Sequence, residues 1–311
     1  MILKILILLL LYTSKMTTVD RTMRRYIINC TNPIKHLPCV KSYQNVATYY
    51  RINMRYKLNF CAIQKNLSTV LKAIACYLDN PKLQNSNQTL ISHYWIKKIC
   101  GNRNRIGSLK NEARWYGDGN IENFLKTYKG IVIVRNPIER FISAFADKCV
   151  IRYKESEGRC YGCFNNLTCF INTLYKRLLN QVVHNNNTYN FTYVDRHFYP
   201  QTWYCQLNEY HKMYKIFKIN PERKISVNKF YQSFTSYLSS KGVSFNETTF
   251  IKNAGQSKYT GHSTFHTKSR KIVKKELLKN KILMDKLIRI YYYDFTTFNF
   301  KFPKKGKRFY I

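Results

Sequence analysis

The sequence predicts an α/β domain in which a central parallel sheet is flanked by helices. Two strand-loop-helix units carry that expectation, Leu58 to Leu78 and Gly130 to Cys149, each an apolar strand followed by a polar loop and an amphipathic helix. A third apolar run, Tyr214 to Ile219, adds a strand, and 311 residues with 45% hydrophobic content suffice for one sizeable core.

In chain order, Met1 to Tyr12 (MILKILILLLLY) is one positive charge and a short apolar run, about 18 Å long as a helix at ~1.5 Å per residue. That falls short of a bilayer of roughly 30 Å, so residues 1–15 read as a signal peptide or a short signal-anchor, with anchored and secreted forms both open. Residues 16–56 read as an N-terminal stem or lead-in, 57–303 as the folded domain and 304–311 as a basic tail.

The first unit has an apolar strand ending near Ile63, then Lys65, Asn66, Ser68 and Thr69 at a helix start. One ammonium, two hydroxyls and free amide N–H groups there form a natural cradle for an anion. The glycines of GxxxxGK[ST] are missing, which argues against a nucleoside triphosphate and leaves the loop little backbone freedom. Residues 82–128 read as polar and irregular, with Trp95 and Trp115 available to an acceptor groove.

In the second unit Ile131 to Val134 is a β-branched run suited to a strand buried on both faces, and Arg135 follows at once. Asn136, Pro137 and Glu139 read as N-cap, first helical position and N3 of a capping box. Ile138, Phe141, Ile142 and Phe145 form the apolar stripe, while Arg140, Ser143 and Asp147 occupy another face. A guanidinium at the strand end and a hydroxyl two turns into the helix can converge on one phosphate. Residues 150–195, rich in Asn, Cys and Tyr, read as a disulfide-pinned insertion, Val227 to Leu238 as a helix, and Ile272 to Ile290 as one long or two short amphipathic helices.

Together the two units resemble the Golgi carbohydrate sulfotransferases, in particular the chondroitin 4-O-sulfotransferase-like branch. In that family a Lys and Ser/Thr loop grips the 5′-phosphosulfate of 3′-phosphoadenosine-5′-phosphosulfate (PAPS), and R-[DN]-P-x-x-R-x-x-S-x-[FY] grips the 3′-phosphate. The matching positions are Lys65, Ser68 and Thr69, then Arg135, Asn136, Pro137, Arg140, Ser143 and Phe145; Gln64 stands where a proline often precedes the lysine. Asp195 to Cys205 (DRHFYPQTWYC) looks like the family's H-[FW]-x-P-Q segment, and His262 to Phe300 resembles its C-terminal end. The resemblance implies a P-loop-NTPase-like sulfotransferase fold, PAPS as donor cosubstrate, a glycan acceptor and no metal. Sulfuryl transfer needs in-line geometry, positive charge at the leaving phosphate oxygen and a base for the acceptor hydroxyl. Lys65 is expected to supply the charge and His197, as a neutral imidazole, the base, with Glu155, Glu157, Asp195 and His262 as rivals.

The formal charge of +37 suits anionic glycans, nucleic acid or anionic membranes without choosing among them, and biased amino-acid usage accounts for part of it. No RRM or zinc-finger pattern supports a nucleic-acid partner. A non-catalytic basic glycan- or heparin-binding protein on the same fold is the standing alternative. Seven N-x-[ST] sequons, at Asn29, Asn66, Asn87, Asn166, Asn186, Asn190 and Asn246, favour the secretory pathway, hence a Golgi lumen or membrane location, or secretion. A glycan on Asn66 would obstruct the loop, so that site is expected to be unmodified. Ten cysteines fit an oxidising lumen. Cys160, Cys163, Cys169 and Cys205 favour disulfides over zinc, because only one C-x-x-C is present, while Cys61 and Cys76 read as buried thiols.

Overall fold

The computed structural model describes residues 30, 37–44, 46, 48–80, 105–152, 159–184, 192–257 and 264–303. The expected leader and basic tail, Trp95, four of the sequons (Asn29, Asn87, Asn186 and Asn190) and the rival bases Glu155, Glu157 and His262 lie outside them.

Five strands form one sheet: β1 (Tyr50–Asn53), β2 (Leu58–Cys61), β3 (Arg105–Ile106), β4 (Lys129–Arg135) and β5 (Tyr214–Ile219), in the order β3-β1-β2-β4-β5. β2, β4 and β5 run parallel, as expected. The sheet is nevertheless mixed, because β1 pairs antiparallel with both β2 and β3. β1 lies within the segment read as a lead-in; a tight turn at residues 54–57 folds it back on β2 as a hairpin.

Helices follow the parallel strands: α1 (Ser68–Asp79) after β2, α2 (Leu109–Tyr116) and α3 (Ile121–Thr127) before β4, and α4 (Pro137–Phe145) after it. α4 runs directly into a π-helical turn, Ala146–Ile151. Then come α5 (Leu167–His184), the short α6 (Asp195–Phe198), α7 (Lys224–Ser239), α8 (Phe245–Ser257), α9 (Lys268–Lys279), α10 (Lys281–Ile290) and α11 (Tyr292–Thr297). Two expectations need correction. The 82–128 region contains α2 and α3, each started by an N-cap side chain, Ser108 and Asn120. The supposed insertion contains an 18-residue helix, α5, whose Phe170, Ile171, Leu174 and Leu178 are buried at the i, i+4, i+8 spacing of a core face.

β4 sits at the centre because both its faces are apolar. Ile131 and Ile133 join α1, α7 and α8 on one side of the sheet, while Val132 and Val134 join α4, α5 and α10 on the other. At ~1.5–3 kcal/mol per buried Val or Ile side chain, those four residues anchor the sheet. Gly130 faces Tyr214 across the β4–β5 ladder, and a Cβ there would lie 2.5 Å from that ring. Disulfides Cys30–Cys39, Cys61–Cys205, Cys149–Cys160 and Cys163–Cys169 pin the chain, and Cys76 is disulfide-bonded as well. Cys61 and Cys76 are therefore not thiols: Cys61 ends β2 beside the segment that carries Cys205, where the Cα atoms are 6.2 Å apart.

Candidate active site

The carboxyl ends of β2 and β4 open on one cleft of about 890 Å³, its solvent-open mouth included. Lys65, Ser68 and Thr69 line it from the first loop, Arg135 from the end of β4, Ser143 from α4 and His197 from α6. Six of the eight expected site residues thus come together.

The first loop bends without glycine. Lys65 and Leu67 take left-handed φ values of 68° and 57°, a conformation that costs a non-glycine residue roughly 1–2 kcal/mol and is held by its surroundings. α1 starts at Ser68 with no side-chain cap, and its first residues, Ser68 and Thr69, line the cleft beside Lys65. In α4, Asn136 Oδ1 accepts from the N–H of Ile138 (3.0 Å) and Glu139 (3.3 Å), which starts the helix at the expected residue. The capping box is only half formed: Glu139 turns away to Arg270 and Lys274.

Asn66 and Arg140, both expected to touch the ligand, do not line the cleft; they are buried beside it and bonded to the frame. Asn66 is 1% exposed, and its amide donates to Ile133 O (3.0 Å) and Gln201 Oε1 (2.6 Å). Gln201 Oε1 also accepts from Arg135 N (3.0 Å), and its Nε2 donates to Arg135 O (2.9 Å), so one buried amide locks the ends of β2 and β4 together. Gln201 is held in turn by Asp294, which accepts from the N–H of Gln201 (2.8 Å) and Thr202 (2.9 Å). Arg140, fully buried, donates from Nε to Gln64 O (2.9 Å) and from Nη1 to Tyr199 O (2.7 Å), because its face of α4 points at the backbone of both flanking loops.

Arg135 lines the cleft from a buried position, and its Nε has no hydrogen-bond partner. Its Nη2 lies 3.7 Å from Glu222 and 4.0 Å from Glu139, and Arg270 bridges the same two carboxylates. Burial, then the repulsion of Arg270, brings its pKa down to about 10, which leaves it cationic. Burial and Glu222 raise Glu139. For Glu222 itself burial is outweighed by Glu139, Arg270 and Lys274, which hold it down at about 2. Ser143 Oγ is 3.0 Å from Thr264 Oγ1, so two hydroxyls converge beside Arg135.

Lys65 donates to Asp147 at 2.5 Å, and burial lowers its pKa to about 8 against the pull of that carboxylate. Lys148 Nζ reaches the same carboxylate and donates to Tyr193 Oη at 2.9 Å. His197 Nδ1 is 2.9 Å from Tyr193 O, a pure acceptor, so Nδ1 carries the proton and Nε2 is the free acceptor. Its basicity is not that of an ordinary imidazole: burial, then Lys148 and Lys65, push its pKa down to about 3. Asp195 lies apart, bound by Arg177, Tyr161 and Thr192.

Sequence reasoning missed Lys148, Thr264 and Arg270 as cleft residues and placed Asp147 on the right face without a role. Asp147 and Lys148 were legible as the turn after Ser143. Thr264 and Arg270 reach the site through long-range packing that no local pattern announces.

Comparison with known proteins bears on the family. The sequence model of the sulfotransferase family matches residues 48–301. Carbohydrate sulfotransferase chst-1 of Caenorhabditis elegans is 32% identical over 257 residues, 81% of this chain and 75% of that protein. Uncharacterized protein C18B2.2 of the same nematode is 29% identical over 269 residues, 86% of this chain and 73% of that one. No solved structure matches the chain. The match covers every strand of the sheet and both loops of the cleft, and the chain belongs to the sulfotransferase family.

Proposed function

We propose that the protein transfers a sulfuryl group from PAPS to a hydroxyl of a glycan, with a chondroitin-like glycosaminoglycan as the first acceptor class to test. The observation that carries the donor assignment is the convergence of Arg135, with its unpartnered buried Nε, and the Ser143–Thr264 hydroxyl pair on one wall, opposite Lys65 and the uncapped start of α1. Two anion subsites in one cleft suit a donor with phosphate groups at both ends of a ribose. PAPS supplies the sulfuryl group and is left as adenosine 3′,5′-bisphosphate (PAP).

Arg135, Ser143 and Thr264 hold the 3′-phosphate; Ser68, Thr69 and the N–H groups of α1 hold the other end. Lys65 places its ammonium at the leaving oxygen, where charge develops. His197 Nε2 accepts the proton of the acceptor hydroxyl. Its low proton affinity in the empty cleft rises once an anion sits beside Lys65 and Lys148, because their repulsion is then offset. The chain works in the lumen of the secretory pathway, a reading supported by the disulfides and by exposed sequons at Asn166 and Asn246. Among the described residues no helix is long and apolar enough to cross a membrane.

Calorimetry with PAP tests the donor site, with Arg135→Ala and Ser143→Ala beside wild type and adenosine 5′-phosphate as control. Tight PAP binding that both substitutions weaken at least tenfold, followed by sulfate incorporation into chondroitin from labelled PAPS, is the expected result. Weak binding indifferent to both substitutions would leave a basic glycan-binding protein as the better description.

A further inference from the structure

A buried carboxylate is out of place in a cleft built for anions, and Asp147 is one. It is 2% exposed; its Oδ2 lies 2.5 Å from Lys65 Nζ and 3.2 Å from Lys148 Nζ, and its Oδ1 3.1 Å from Arg152 Nε. Resting on the donor-site reading above, we propose that Asp147 is a positioning residue: it holds the Lys65 ammonium in the empty cleft and yields it to the donor's 5′ anion on binding, while Lys148 and Arg152 keep the carboxylate in place.

Three features argue for a hand-over rather than a fixed ion pair. Asp147 has three cationic partners, so losing Lys65 to the donor leaves it neutralised by two; a carboxylate with a single partner would be stranded. The phosphosulfate end of the donor carries more charge than one carboxylate, so the ammonium favours it once it arrives. Finally, Asp147 and Lys148 both line the cleft although they are consecutive, and the π-helical turn Ala146–Ile151 places them there. Such turns are rare and recur at functional sites, and this one is fastened from behind by Cys149–Cys160.

The electrostatics explain why the cleft needs the carboxylate. Lys65 faces Asp147 and Lys148 from the π-helical turn, Arg135 from the end of β4 and His197 from α6. Its side chain is 10% exposed, and burial already draws it down to about 8. Without Asp147, the repulsion of Lys148 and Arg135 acts unopposed, and the amine loses its proton near neutral pH, before any donor arrives.

The test is PAP calorimetry at pH 8 in two buffers of different ionisation enthalpy, which counts protons taken up on binding. Wild type, Asp147→Asn, Asp147→Glu and Lys65→Met are compared, with Asp147→Ser alongside in case the amide is not accommodated. Wild type should take up about half a proton at Lys65, Asp147→Asn or Asp147→Ser close to one, Asp147→Glu a value near wild type, and Lys65→Met none from this position. The affinity of Asp147→Asn relative to wild type should fall several-fold between pH 6.5 and 8.5; a merely structural defect would weaken binding equally at both. Equal proton uptake in wild type and Asp147→Asn, with both binding PAP, overturns the hand-over alone. Failure of wild type to bind PAP overturns the donor site and the hand-over with it.

Discussion

At the scale of single residues, groups that line the cleft differ from groups bonded into the frame beside it, and the two classes should fail differently. Arg140 is fully buried and donates from Nε to Gln64 O and from Nη1 to Tyr199 O, while its Nη2 has no hydrogen-bond partner. Arg140→Met leaves both carbonyls unpaired, at roughly 1–3 kcal/mol each, so a fall in Tm of several degrees is expected. Ser143→Ala removes one hydroxyl beside Thr264 and should lower donor affinity with Tm almost unchanged. Equal Tm losses in a thermal melt would refute the division. His197 makes a sharper case. Its pKa is depressed to about 3, so the folded protein binds fewer protons than the unfolded chain between that value and about 6.5. Its contribution to stability is therefore complete above pH 6.5 and is lost as pH falls toward 3. Imidazole NMR of the free protein should show no His197 titration between pH 5 and 8, and a midpoint near 6.5 would overturn this. If Nε2 is the base, His197→Ala should cost about 10²–10⁴ in kcat.

At the scale of elements, the cross-links should rank by the chain they close. Cys61–Cys205 spans 144 residues and Cys149–Cys160 only 11. On loop entropy the first contributes about 5 kcal/mol and the second nearer 3, so paired Cys→Ser replacement should lower Tm more for Cys61–Cys205. The shorter bridge, which fastens the turn carrying Asp147 and Lys148, should instead show its loss in donor affinity. This is also the scale at which sequence was most and least legible. β4, α4 and β5 announced themselves because β-branched runs, an Asn-Pro start and an i, i+3, i+4 stripe are local signals. β1 and β3 escaped because strands of four and two residues take their pairing from the sheet, not from their own pattern. The π-helical turn, and the roles of Asn66 and Arg140, were equally hidden: Gln201 lies 135 residues from Asn66, and only the folded chain brings them together.

At the scale of the whole molecule, the charge of +37 and the cleft act over different ranges. Among the described residues six acidic side chains are buried, Glu112, Glu139, Asp147, Asp195, Glu247 and Asp294, and six basic ones as well, Arg135, Lys148 and Arg270 at the site among them. Buried acids and bases are thus equal in number among the described residues, and the excess of basic residues in the sequence sets a long-range field that draws in polyanions. Such a field is screened over about 10 Å at 0.1 M salt and 3 Å at 1 M, whereas the contact proposed for Arg135 would be made from a buried position. Raising salt from 0.1 to 0.5 M should therefore weaken chondroitin or heparin binding at least tenfold, and equally for wild type and Arg135→Ala. The ratio of their PAP dissociation constants should hold within about threefold over the same range, because a desolvated contact is little screened. Calorimetry and a salt series on immobilised glycan measure both, and a PAP ratio that collapses toward one would assign the nucleotide, too, to the diffuse field.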